Sequence, residues 1–444
     1  MNPTKWPRLP LLLLALGTVL TIIIVCQVLK PATDPRLDAL RAKGYPVTPT
    51  QWDAWYAATP DNENAALIYT NAFAQPAFTN DNFFLDNKWL PPRGQPITEE
   101  VGNQLNAILT TNKHTLELLY AAAALKSARY PIDLKQGHRV LLPHLASIKR
   151  ATALLGNRAF SLAAKHENEE AVKAFVAASR VGDSLSREPV LISQLVRYAS
   201  WSLICARLER AVNVTSFAPG QIARLEKLLS EGEGPDCLER GLAGDLVSGI
   251  SFFTKGTHDI FSTLGPVGGP PKDHQIEATF AIGLLKATGI FAKDKAFYID
   301  VMSTNLSSAR LPYPARFQSN QNNPQPIPPN RFYIMSRMLL PALSRVAVRD
   351  ADHTARIRVA RAVLAIEHYR RENAESLPPD LSALVPRYLS TIPTDPFDGK
   401  SLRFKKLSKG YVIYSIGSDG TDDGGKEPVT NKNIPQDLTF IVER

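Results

Sequence analysis

Cysteine is scarce in this chain: three among 444 residues, at Cys26, Cys205 and Cys237. Their spacing fits no zinc motif, so a cysteine-held structural metal is excluded. The phosphate-cradling signatures are missing as well. There is no P-loop lysine motif and no G-x-G-x-x-G following a strand. A nucleophile elbow is absent too, since Ser248 has Leu246 and Ile250 where that turn needs glycines. Eight histidines are present, and none forms a helically spaced metal pair with a carboxylate partner. His166-Glu167 starts like a zincin helix but has no second histidine, so it reads as a solvated helix turn. His138 and His144 flank a proline and make a poor ligand pair. No zinc finger or RNA-binding motif accompanies the formal charge of +9. That charge reads as solvated surface with an attraction for anionic lipid or cell-wall polymer.

What the chain does have is one long apolar run. Leu9 to Leu29 carries no charge and is long enough to span a bilayer as a helix. Lys5 and Arg8 precede it; Lys30 and Arg36 follow, so the basic flanks set orientation only weakly. An A-x-A cleavage site does not appear before Pro31, and Ile24 and Val25 are too bulky for lipoprotein processing at Cys26. Residues 1–30 are therefore expected to be an uncleaved transmembrane signal anchor. The bulk of the chain is then extracytoplasmic, on the periplasmic side of an inner membrane.

Residues 31–98 read as a helical and loop region. A short helix is expected near Leu37 to Ala42. Thr50 is the expected cap of a helix holding Trp52, Trp55 and Tyr56, and Asp61 to Asn64 caps a helix from Ala65 to Phe73. Residues 75–98 are polar and proline-rich, as in a loop. Residues 99–318 read as a helical bundle or irregular array. Leu145, Ile148, Ala151, Leu155, Ala159 and Leu162 step by three and four, as do the stripes 171–185 and 192–206. The turn at Lys165 to Asn168 makes the first two an antiparallel hairpin, and Pro189 opens the third helix. The array resembles tetratricopeptide repeats in style, without their diagnostic pattern or period. Cys205 and Cys237 are either two buried thiols or a disulfide. Arg187-Glu188-Pro189, with Gln194, Arg197 and Tyr198, gathers polar side chains near a helix start. Capping and inter-helix hydrogen bonds account for them, and a functional groove is the sharper reading. The stretch 319–331 is expected to be a linker.

Residues 332–444 are expected to form a small α+β unit. Ala355, Val359, Ala362, Ile366 and Tyr369 mark one face of a long helix, which Leu377-Pro378-Pro379 ends. Asp380 is the expected cap of a short helix with Leu381, Leu384 and Val385. Leu402 and Phe404 alternate with basic residues as in a strand; Tyr411 to Ile416 gives a second strand, and Leu438, Phe440 and Val442 a third. The ordered string LP..L..LVP.YL..IP.DPF.G..LR followed by GYVIYSIGSDG.DDGG resembles the globular half of the major pseudopilins of type II secretion systems. The resemblance covers about the last ninety residues, about a fifth of the chain. The whole chain also resembles a group of uncharacterised bacterial membrane-anchored proteins with a helical middle and this tail. The pseudopilin resemblance implies calcium in the acidic loop, held by Asp419, by Asp422 or Asp423, and by Asp437. The plain alternative is that Asp-Gly and Asp-Asp-Gly-Gly only form turns. Lys426 and Pro428 depart from the family's loop, and the pilin-type leader is missing, which argues against a filament subunit.

The fold class expected is mainly α, with an N-terminal transmembrane helix, a helical array and a C-terminal β-hairpin or three-stranded antiparallel sheet. Two functions remain in view. One is a non-enzymatic scaffold or binding protein of the cell envelope, associated with secretion or pilus-like machinery. The other is an envelope hydrolase with a site in the helical domain, because two carboxylates brought together only in space leave no sequence trace.

Overall fold

The computed structural model describes residues 34–78, 89–254, 283, 287–322, 328, 330–427 and 436–444. The expected anchor at 1–30 and Cys26 lie outside the described residues. Among the described residues no helix is long and apolar enough to cross a membrane.

The described chain is mainly helical with one small antiparallel sheet. Its helices run α1 (Pro35–Ala42), α2 (Pro49–Trp55), α3 (Ala65–Phe73), α4 (Glu99–Thr111), α5 (Lys113–Ala123), α6 (Leu145–Ala164), α7 (Asn168–Asp183), α8 (Leu191–Val214), α9 (Pro219–Gly232), α10 (Cys237–Phe253), α11 (Ile290–Ala309), α12 (Ala315–Asn322), α13 (Ile334–Leu339) and α14 (Leu343–Glu372). Strands β1 (Arg403–Lys406), β2 (Tyr411–Ser415) and β3 (Leu438–Val442) follow, in the order β1-β2-β3 with both pairs antiparallel.

Local chemistry sets most boundaries. The cap of α2 is Thr48 rather than Thr50: its hydroxyl accepts from Gln51 N at 3.2 Å, and Pro49 takes the first helical position, where its missing N–H costs nothing. Asn64 caps α3 through Ala66 N at 3.1 Å. The helix α14 stops short of the prolines. Ala374 and Glu375 turn to positive φ, and Glu375 N bonds back to Arg370 O at 2.8 Å, which satisfies an end carbonyl as a left-handed cap does. Residues 319–322, expected in the linker, belong to α12. Cys205 and Cys237 are free, buried thiols.

The core begins with α6, α7 and α8. Their apolar stripes are rich in alanine and glycine, so the helices approach closely. At Gly156 an added Cβ would sit 3.2 Å from Arg207 Cγ, and at Gly244 of α10 only 1.7 Å from Pro189 O. One apolar cluster takes in Trp52, Tyr69, Phe175, Trp201 and Leu225, passes through Ile357 and Val363 of α14, and reaches Tyr411, Phe440 and Val442 of the sheet. The array and the sheet therefore share one core. A second cluster joins α1, α10, α11 and α13.

Side chains of α8 also close the edge of β3. Asn213 Nδ2 donates to Ile441 O at 2.8 Å, Asn213 Oδ1 accepts from Glu443 N at 2.8 Å, and Glu209 Oε1 accepts from Ile441 N at 3.0 Å. An open strand edge is thereby paired by a helix.

Candidate functional site

The sheet end nearest the IPTDPF turn is built around Asp395, which has no exposed surface. Its Oδ1 accepts from Phe397 N (3.0 Å) and Ser415 Oγ (2.9 Å). Its Oδ2 accepts from Ile416 N (3.0 Å) and Arg403 Nη1 (2.6 Å). One carboxylate thus ties the turn, the start of β1 and the end of β2 together. Arg403 continues outward, bonding Asp398 Oδ2 at 2.5 Å and lying 4.0 Å from Asp422 Oδ2.

Beyond that hub lies the acidic loop. Asp437, just ahead of β3, is fully buried. Its Oδ2 accepts from Gly425 N at 2.8 Å, and its Oδ1 has no hydrogen-bond partner. Burial raises its pKa above the usual carboxylate range; hydrogen bonds from the backbone of Gly425 and Asp423 oppose the rise, and the nearby charges of Asp422 and Asp423 add to it more weakly. Asp422 is exposed, and its Oδ1 accepts from Tyr414 OH (3.1 Å) and Gly424 N (2.9 Å). Gly425 has φ +71, and a Cβ there would meet the Tyr414 ring at 2.7 Å, so the loop can fold over β2 only with glycine at this point. Asp419 stands apart. It is exposed and closes its own turn on Thr421 N at 3.1 Å.

The structure brings Asp422 and Asp423 to Asp437 and leaves Asp419 outside. The oxygen-only donor set and the orphan carboxylate oxygen fit a hard cation such as calcium. Convergence is incomplete, because no three His, Cys, Asp or Glu side chains meet at metal-binding spacing among the described residues. Sequence reasoning singled out the acidic loop but passed over Asp395 and Arg403, whose signal was the Asp-Pro-Phe turn itself.

The other polar groups noted in the sequence serve the helix packing. Gln194 Nε2 donates to Leu185 O and Glu188 O at 2.9 and 2.7 Å. Arg197 binds Asp183 Oδ1 at 2.8 Å and Gly232 O at 2.6 Å. Tyr198 OH donates to Asp350 at 2.7 Å. His144 pairs with Glu188 at 3.1 Å, with Ser193 Oγ on the same carboxylate, and all three side chains are buried. His138 instead meets Ser251, and His166 meets Thr215.

Replacing the hub should be costly. Asp395→Asn is expected to lower stability by about 3–5 kcal/mol, because it removes a buried charge paired with Arg403 and sets an amide donor against groups that donate to the carboxylate. Asp398→Asn, at Arg403's half-buried outer partner, should cost less, about 1 kcal/mol. Chemical denaturation of the two variants checks the contrast; equal losses would contradict the role given to Asp395. In comparisons with known proteins, the chain matches no family model, no curated protein and no solved structure.

Proposed function

We propose that this protein is a membrane-anchored scaffold or binding protein of the cell envelope, with the bulk of the chain extracytoplasmic and its C-terminal corner latched by calcium. The observation that carries the latch is the unpartnered, buried Oδ1 of Asp437 beside Asp422 and Asp423. A buried carboxylate oxygen without a donor is costly, and a cation relieves it. Bound calcium would draw Asp422 and Asp423 onto Asp437 and fix the loop ahead of β3. That strand packs on α14 and is edge-paired by α8, so the latch would stiffen the surface the helical array presents to a partner. The hydrolase reading would turn to Glu188, His144 and Ser193. Their burial, at 0%, 7% and 0% exposure, favours a structural role for that cluster and the scaffold reading for the protein. Anchoring rests on the apolar run at Leu9 to Leu29.

Two measurements test this. Thermal melting of the full-length protein in detergent, with calcium in hundredfold excess over its Kd, should show a rise in Tm of about 2–5 °C over the chelated sample. The rise should vanish in Asp437→Asn. No rise, or an equal rise in the variant, would overturn the latch. Separately, a C-terminal alkaline phosphatase fusion should be active in cells, as a reporter that folds outside the cytoplasm requires. An inactive fusion beside a fluorescent cytoplasmic-type fusion would overturn the topology.

A further inference from the structure

Away from the acidic corner, α3 and the residues Leu125 to Ala128 meet the C-terminal turn of α7 around a cavity of about 90 Å³. That volume holds several water molecules, enough for a tetrahedral oxyanion. Tyr69 lines it. Its ring is 1% exposed and stacks on Phe73 at 6.2 Å, a role phenylalanine would fill equally well. Its hydroxyl, however, has no hydrogen-bond partner. A buried hydroxyl left without an acceptor is destabilising, so the group calls for an occupant that accepts a hydrogen bond.

The charges around the cavity say which kind. Lys126, Arg180 and Arg187 all line it, against one carboxylate, Asp183. That carboxylate is already compensated: its Oδ1 accepts from the buried Arg197 Nε at 2.8 Å and from Trp201 Nε1 at 2.9 Å. Arg180 reaches an acid only at 3.8 Å, on Glu231. Among the described residues, no ion pair or hydrogen bond is made by the Lys126 or Arg187 side chains. Burial raises the Tyr69 phenol pKa, while Arg180 opposes the shift and Asp183 adds to it, so both charges act at the hydroxyl. The cavity therefore combines a buried donor without an acceptor and, at its rim, two exposed cations, Lys126 and Arg187, with no acidic partner among the described residues.

We propose that this cavity binds a phosphoryl group, either free phosphate or the phosphoryl end of a larger molecule. Tyr69 OH donates to one oxygen, while Arg180, Arg187 and Lys126 neutralise the charge. Guanidinium groups suit this role because their forked donors match oxyanion geometry. The site is separate from the acidic corner and does not depend on the calcium latch.

The test is calorimetric titration of the full-length protein in detergent at constant ionic strength, with inorganic phosphate, glycerol 3-phosphate and acetate as probes. Saturable phosphate binding is expected. Tyr69→Phe and Arg187→Gln should each weaken it about tenfold, the scale of one charge-assisted hydrogen bond. Lys173→Gln, which alters an exposed lysine outside the cavity, should leave it unchanged. In phosphate-free buffer, Tyr69→Phe should melt at the same temperature as the parent or higher, because it removes an unpaired hydroxyl; weaker binding then cannot be put down to misfolding. Glycerol 3-phosphate binding as tightly as phosphate would identify the phosphoryl end of a larger molecule as the ligand, and binding of phosphate alone would identify the free ion. The proposal is overturned if phosphate does not bind saturably, if acetate binds more tightly, or if Tyr69→Phe and Arg187→Gln both keep the parent affinity.

Discussion

The helix α14 has to be buried on two sides at once, and the rest of the structure depends on how it manages this. One side packs on α8 and α9, the other on β2 and β3. From Val359 to Ile366 every residue except Arg361 is buried. Each large apolar side chain so covered contributes about 1.5–3 kcal/mol, but only while both neighbours stay in place. The helix is also rich in arginine, and those side chains are held at its margins. Arg358 bonds Glu233 Oε1 through Nε and Nη2 at 3.0 and 2.6 Å, and Thr394 O through Nη1 at 2.8 Å. Arg361 holds Glu226 Oε1 at 2.7 Å. Each arginine therefore ties α14 to α9, and Arg358 ties it to the turn before Asp395 as well.

Where α14 ends, a buried polar knot replaces the apolar contact. Tyr411 OH donates to Glu367 Oε1 at 2.7 Å, Arg370 lies 3.1 Å from the same oxygen, and Arg444 reaches the other. The last residue of the chain is thereby drawn back to the helix that precedes the sheet. Such groups stabilise only as a complete set, since loss of one partner leaves a buried charge exposed to a low dielectric. The acidic corner and the cationic cavity are two of several places where a buried polar atom has no hydrogen-bond partner. An acceptor is left over at Asp437 and a donor at Tyr69, and the proposed calcium and phosphoryl ligands would partner them.

Periodicity made the helices and strands legible. The stripe Ala355, Val359, Ala362, Ile366, Tyr369 marks one face of α14, and the alternation around Phe404 marks β1. What a stripe cannot reveal is that the opposite side, with Ile357, Ala360, Val363 and Leu364, is covered too, because Arg356, Arg358 and Arg361 interleave with those residues and read as a solvated face. The same limit applies to the sites. Asp419, Asp422 and Asp423 stand in one glycine-rich stretch, Asp437 enters only through the pseudopilin resemblance, and the orphan oxygen that distinguishes Asp437 from Asp419 exists only in three dimensions. Tyr69, Lys126, Arg180 and Arg187 lie too far apart in the chain for spacing to link them. Glu188 and Arg197 were noticed as polar groups at a helix start, and their partners His144 and Asp183 come from other elements.

The claim that the helical array and the C-terminal sheet are one body is tested most directly by native-state hydrogen exchange on the full-length protein. If α14 is held from both sides, the amides of β2 and β3 should exchange through the same opening as those of α6 and α8, with the same free energy and the same denaturant dependence. Faster exchange of Tyr411–Ser415 and Leu438–Val442, through an opening that leaves α6 and α8 protected, would contradict the account.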